Sequence, residues 1–132
     1  MNTIINDICS FSLSIFGIGI TLFTVIYSFI SNKREYMNEI SHVITSGKAC
    51  PETKAKYLIA EKYIQKQKKT NILILSITIA SLVIYTLCLL YLHIASDNVI
   101  LRYIIIGFTI LLILSLCIAL SIFISSYLEY IK

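Results

Sequence analysis

Three long stretches of the sequence contain no charged residue. Residues 8–32, 70–96 and 103–128 lack Asp, Glu, Lys and Arg over 25, 27 and 26 positions. A soluble domain of this size could not bury the apolar surface of a chain that is 58% hydrophobic and 14% charged. About 20 helical residues cross the hydrocarbon core of a bilayer. The missing charges therefore exclude a soluble fold and predict three transmembrane helices.

The sequence also lacks the patterns that carry membrane chemistry. Pumps, voltage sensors and coupled transporters place charged side chains at mid-depth, whereas these stretches contain no Asp, Glu, Lys or Arg, and His93 lies near the outer end of the second one. No H-E-x-x-H, G-x-S-x-G or P-loop pattern is present. We therefore expect a protein that is not an enzyme and needs no cofactor or metal. The cysteines form no C-x-x-C pair, which predicts small packing residues at Cys9, Cys50, Cys88 and Cys117.

Proline and glycine are scarce, so few positions can interrupt a helix. Gly47 is placed to end one helix and Pro51 to begin the next, while Ser96 or Asp97 can cap the third helix. We predict an all-α integral membrane protein whose first two transmembrane helices extend into a cytoplasmic helical hairpin. The single membrane domain, 1–132, would comprise spans at about 8–31, 71–95 and 99–128, with the hairpin at about 33–69.

Basic residues fix the predicted orientation. Ten of the eleven lie either in the loop at 33–69 or at Lys132. The positive-inside rule places both in the cytoplasm and the N-terminus outside. The segment "MNTIIND" has no Lys or Arg, which favours a retained helix over a signal peptide. Abundant Ile and Lys without Trp indicate an AT-rich bacterial genome, and hence a multi-pass protein of the inner membrane.

The loop carries two surfaces with different chemistry. Lys66, Lys68 and Lys69 would lie at the lipid surface, where each gains about 1 kcal/mol from anionic headgroups. Apolar residues at helical spacing form a candidate face for a protein partner: Ile40, Ile44, Leu58 and Ile59. The loop is basic overall, but no stacking platform accompanies the charge, so we expect no nucleic acid partner.

The first apolar stretch contains a seam of small, weakly polar residues at steps of four and three. The name seam is used below for Ser10, Ser14, Gly17, Thr21, Thr24, Ser28 and Ser31. Small residues and hydroxyls let membrane helices approach closely, and a repeat of 3.5 predicts a left-handed crossing. The seam could pack within the chain, pack against another subunit, or line a water-filled pore.

Two functions of different classes follow. The first is a small inner-membrane protein that self-associates or joins a membrane complex through the seam and the basic hairpin. Its partners would be membrane lipids together with its own copies or another membrane or cytoplasmic protein. The alternative is a pore-forming, holin-like effector whose seam faces the lumen. In topology the chain resembles one class of phage holins and the ion-driven motor subunits related to ExbB, which is a likeness of arrangement alone.

Overall fold

The computed structural model describes residues 2–48 and 50–131, and within these ranges the chain is helical with no strand. Helix α1 spans Asn2–Thr45, α2 spans Pro51–His93 and α3 spans Val99–Ile131. Each contains a segment long and apolar enough to cross a membrane. The prediction of an all-helical chain with three such helices is confirmed, and it indicates a multi-pass membrane protein.

The turn between α1 and α2 forms where Gly47 and Pro51 predict it. Gly47 adopts a φ of 72°, a left-handed conformation that ends helices at low cost only for glycine. The amides of Thr53 and Lys54 donate to the Cys50 carbonyl, at 3.1 and 3.4 Å. Pro51 therefore occupies the first helical position, where the missing amide hydrogen costs nothing.

The turn between α2 and α3 differs in detail from the prediction. The side-chain oxygen of Asn98 accepts a hydrogen bond from the amide of Leu101 at 3.3 Å. The prediction of a cap at Ser96 or Asp97 is wrong, because Asn98 directly precedes the first residue of α3 and its side chain reaches the third amide of the helix. Helix α2 ends at His93, two residues before the predicted boundary at 95.

The chain forms two compact units, and helices α1 and α2 each contribute residues to both. One, named here the three-helix unit, comprises Met1–Ile20 and Ile74–Lys132. The other, named the hairpin unit, comprises Thr21–Leu73. Between residues 20 and 73, Gly47 is the only glycine and Pro51 the only proline, and both lie at the turn. Helices α1 and α2 can therefore each continue unbroken on either side of it.

The core of the three-helix unit repeats every seven residues. On α3 it includes residues 105, 112 and 119, and on α2 the buried positions 74, 77, 81, 84, 88 and 91 advance alternately by three and four, with 78 buried beside them. A seven-residue repeat of this kind packs helices in the left-handed, knobs-into-holes manner. The buried side chains on the two helices are Ile74, Ile77, Thr78, Ser81, Ile84, Cys88, Tyr91, Ile105, Thr109, Leu112 and Ala119.

Helices α1 and α2 approach closely at Gly19. A Cβ added there would overlap the Thr78 hydroxyl oxygen and lie 3.1 Å from Thr78 Cβ, whereas a Cβ added at Gly17 would meet nothing within 4 Å. The Thr78 hydroxyl donates to the Ile74 carbonyl at 2.7 Å, which fixes its rotamer against α1. Glycine at position 19 is therefore a packing requirement.

The core of the hairpin unit combines isoleucines with one cationic residue. Ile30 and Ile40 of α1 and Ile64 of α2 are buried. The Lys33 ammonium lies 5.1 Å from the ring centroid of Tyr36 and 5.7 Å from that of Tyr63. Such cation–π contacts stabilise by about 0.5–1 kcal/mol at exposed sites. The contact with Tyr63 also shows that position 33 of α1 is level with position 63 of α2.

The two glycines of α1 provide a matched pair of variants. Gly17→Ala should raise stability by about 0.5–1 kcal/mol, since alanine has less chain entropy to lose in a helix. Gly19→Ala should lower stability by about 1–3 kcal/mol through overpacking, and Thr78→Ala should restore part of the loss. The measurement is unfolding in mixed micelles by SDS titration, followed by circular dichroism. Equal effects of the two alanines would contradict this packing.

Candidate functional site: the uncovered face of helix α1

The seam lies on the side of α1 that the rest of the chain leaves uncovered. Four buried residues of α1 follow a different seven-residue line, Ile5, Ser12, Gly19 and Ile26. This line is offset by two positions, about 200° around the helix, from Ser10, Gly17 and Thr24. Six members of the seam are exposed and Ser31 is half-buried. The other helices therefore leave most of the seam uncovered.

The serine hydroxyls of the seam bond to their own helix. Ser14 donates to the Ser10 carbonyl at 2.9 Å, and Ser28 donates to the Thr24 carbonyl at 3.1 Å. These bonds satisfy the hydroxyl donors without water or a partner chain. The seam can therefore face lipid or another helix without leaving those donors unbonded, and it is a low surface over which a second helix can approach.

The candidate partner face on the hairpin is divided by the structure. Leu58 and Ile59 are 56% and 68% exposed, Ile44 is half-buried, and Ile40 is only 8% exposed. Ile40 is a correction to the predicted face, because it lies fourteen residues after Ile26, close to four full turns, and so shares the buried side of α1. Of the predicted face, the fully exposed residues are therefore Leu58 and Ile59 on α2.

The lysine cluster is exposed as a group. Lys66, Lys68 and Lys69 all present exposed side chains, and the uncharged residues of α2 begin directly after them. Their position at the junction between polar and apolar sequence is the one from which long basic side chains reach headgroups. Contact with lipid stays a prediction.

Sequence reasoning missed the second small-residue line on α1. Ser12 and Gly19 are buried, and no hydrogen-bond partner for the Ser12 hydroxyl occurs among the described residues. The signal in the sequence was the constant spacing of seven between Ile5, Ser12, Gly19 and Ile26, which places them on one side of the helix. Because the seam has more members, its own periodicity conceals this shorter line.

A cluster able to bind a metal ion is absent from the described residues. In this part of the chain no three His, Cys, Asp or Glu side chains lie close enough to hold a metal ion. A cleft of about 350 Å³ lies between α2 and α3 in the three-helix unit. Apolar side chains form most of its lining, and Ser76 and Ser115 contribute the polar atoms. Its lining contains no ionisable side chain.

Cys50 is the one cysteine with an environment that alters its reactivity in water. It is exposed at the start of α2, 3.2 Å from the Thr53 hydroxyl. The hydrogen bond from the Thr53 side chain, followed by that from the Thr53 amide, lowers the pKa of the Cys50 thiol below its ordinary value. The thiolate is therefore populated at lower pH than in an ordinary cysteine.

No protein-family model, curated protein or solved structure matches this chain.

The Cys50 environment predicts a shifted pH profile for thiol labelling. In a chain with the other three cysteines replaced by alanine, the rate of maleimide labelling should rise to its plateau at lower pH than in the same chain carrying Thr53→Val. The sign follows because losing the hydroxyl raises the pKa, so the thiolate forms later as pH increases. A cysteine placed at Lys48 in a chain without native cysteines serves as the control. Superimposable profiles for the parent and Thr53→Val would contradict the assignment.

Proposed function

We propose that this protein is a small non-enzymatic membrane subunit that assembles with further copies of itself through the seam of α1. The observation that carries the proposal is that six seam residues are exposed, whereas the small residues Ser12 and Gly19 on the opposite side of α1 are buried. Its activity would be structural, as a component of a membrane assembly.

The physics of helix association in lipid supports this role. Apolar side chains gain nothing by leaving lipid for one another, so association depends on close contact between backbones and on interhelical hydrogen bonds. Bulky exposed residues such as Ile18 and Ile20 flank the seam on its two sides, where lipid would surround them. The small residues between them form a shallow groove into which ridges of a neighbouring helix can pack.

The proposed location is the bacterial inner membrane, with the hairpin unit in the cytoplasm. Support comes from the nine Lys and Arg residues within residues 33–69, against one, Arg102, near the α2–α3 turn. Lys66, Lys68 and Lys69 would then contact anionic headgroups of the inner leaflet. The N-terminus would lie outside and the C-terminus inside.

A pore lined by the seam is the alternative of another class. It would use the same exposed face, directed towards a lumen. The hydroxyls of Ser14 and Ser28 favour packing over a lumen, because their donors point back to helix carbonyls and not outward to water. No charged residue lies among the seam positions to select ions.

Tryptophan substitution tests the proposal directly. Thr21→Trp and Ser28→Trp should shift the protein from oligomer to monomer, because a bulky ring prevents close approach of the neighbouring helix. Each has a control one position further along α1, at Leu22→Trp and Phe29→Trp, where exposed bulky side chains already face lipid. The measurement is oligomer size in native lipid nanodiscs, with ion conductance in planar bilayers recorded in parallel.

The outcomes separate the two classes. Loss of the oligomer in the seam variants alone, without conductance in the parent protein, supports assembly. Conductance in the parent that the seam variants block supports the pore. A parent protein that is monomeric at every protein-to-lipid ratio would overturn both.

A further inference from the structure

The hairpin unit carries opposite charges on opposite sides. On α1, Glu35 lies nine residues after the buried Ile26 and five from both buried Ile30 and Ile40. At 3.6 residues per turn, these separations put Glu35 on the far side of α1 from its contacts with α2. Glu39 follows one turn later on the same side, and both carboxylates are exposed.

The outward side of α2 is basic. Lys62 lies two residues from both buried Ala60 and buried Ile64, and nine from buried Asn71. Lys69 lies nine residues from Ala60 and two from Asn71, so the same geometry applies to it. Both lysines are exposed and project away from α1. Glu35 and Lys62 take part in no ion pair within the described residues, so the two charged sides are open to outside partners.

The acidic side of α1 is continuous with the seam inside the hairpin unit. Glu35 lies seven residues after Ser28, which lies seven after Thr21, so the three share one stripe of the helix. Any helix that packs on the seam at Thr21 and Ser28 must therefore also lie beside Glu35. The charges on a neighbouring helix must therefore be compatible with the Glu35 carboxylate beside them.

A symmetric dimer, seam against seam, fails that test. Copies that share one orientation in the bilayer would bring Glu35 and Glu39 against the same carboxylates of the partner copy, and like charges at such distances repel. The outward side of α2 passes the test, because it offers lysines at the matching height. Position 33 is level with position 63, so Glu35 lies about two residues, or ~3 Å, deeper into the hairpin and level with position 61.

We propose that copies of this chain assemble head to tail, with the seam and Glu35 of one copy packed on the Lys62 side of α2 in the next. This inference rests on the proposed function and specifies the surface that meets the seam. The occupant is a second copy because two sides of one hairpin complement each other in charge and depth. The exposed Leu58 lies one turn from Lys62 and would pack in the same contact, beside Glu39.

Head-to-tail contacts have a consequence that a symmetric dimer lacks. A head-to-tail pair leaves the seam free in one copy and the Lys62 side free in the other. Further copies can therefore add at both ends until a ring closes, or indefinitely if it does not. The expected product is a series of oligomers and not a dimer alone.

Cysteine crosslinking between two distinguishable copies tests the proposal. A chain with all four native cysteines replaced by alanine is prepared with Glu35→Cys in a copy bearing one tag and Lys62→Cys in a copy bearing another. When both are expressed in the same membranes and oxidised, a disulfide should join the two tags. A chain with both substitutions should give a ladder, since its two thiols lie on opposite sides of the hairpin and cannot reach each other.

The control is Lys68→Cys in place of Lys62→Cys. Lys68 is exposed on α2 but lies three residues from buried Asn71 and four from buried Ile64, so it is turned aside from the proposed contact. It should crosslink poorly to position 35. A dimer formed by Glu35→Cys copies alone would overturn the head-to-tail arrangement and leave self-association standing. Absence of every crosslink, with a monomeric parent in nanodiscs, would overturn the proposed function as well.

Charge reversal gives an independent readout on chains with native cysteines. Glu35→Lys and Lys62→Glu should each lower the association constant by up to about fivefold, the upper end for one exposed charge pair, and the double variant should restore it. Lys68→Glu should leave it unchanged. Single variants that assemble as well as the parent would contradict the proposed pairing.

Discussion

The close approach of α1 to α2 at Gly19 is the contact on which the rest of the account depends. It brings the backbone of α1 against Thr78 and selects the line through Ser12 and Gly19 as the buried side of α1. The seam lies on the side of α1 opposite this buried line, so packing at Gly19 leaves the seam exposed. The exposed seam is therefore a consequence of internal packing.

The hairpin unit extends the same logic beyond the apolar segment. Isoleucines and the Lys33 contacts with Tyr36 and Tyr63 join α1 to α2, which leaves carboxylates on one outer side and lysines on the other. In a soluble helical hairpin such charges would be ordinary solvent-facing groups. Here they lie on helices that each contain a segment long and apolar enough to cross a membrane. In the proposed assembly, copies would share one orientation and one depth, and the charge pattern would then select which surface each copy meets.

Much of the architecture could be predicted from the sequence because bilayers impose simple constraints. Charge-free stretches define three helices, and Gly47 with Pro51 marks a turn whose backbone few other residues would allow. The buried side of α1 could not be predicted in the same way. Both of its small-residue lines repeat every seven residues, and the decision between them depends on Thr78, nearly sixty residues away. The cap at Asn98 was missed because three neighbouring residues can all serve as caps. The exposure of Leu58 beside the burial of Ile40 likewise depends on how two helices meet.

The central claim is that this chain functions as an assembly, and counting copies tests it most directly. The measurement is stepwise photobleaching of the fluorescently tagged chain in native nanodiscs, extracted at low expression to avoid chance co-capture. The account predicts several bleaching steps per particle, falling to one step in Thr21→Trp but not in Leu22→Trp. A single step in the unaltered chain, at every level of expression, would contradict it.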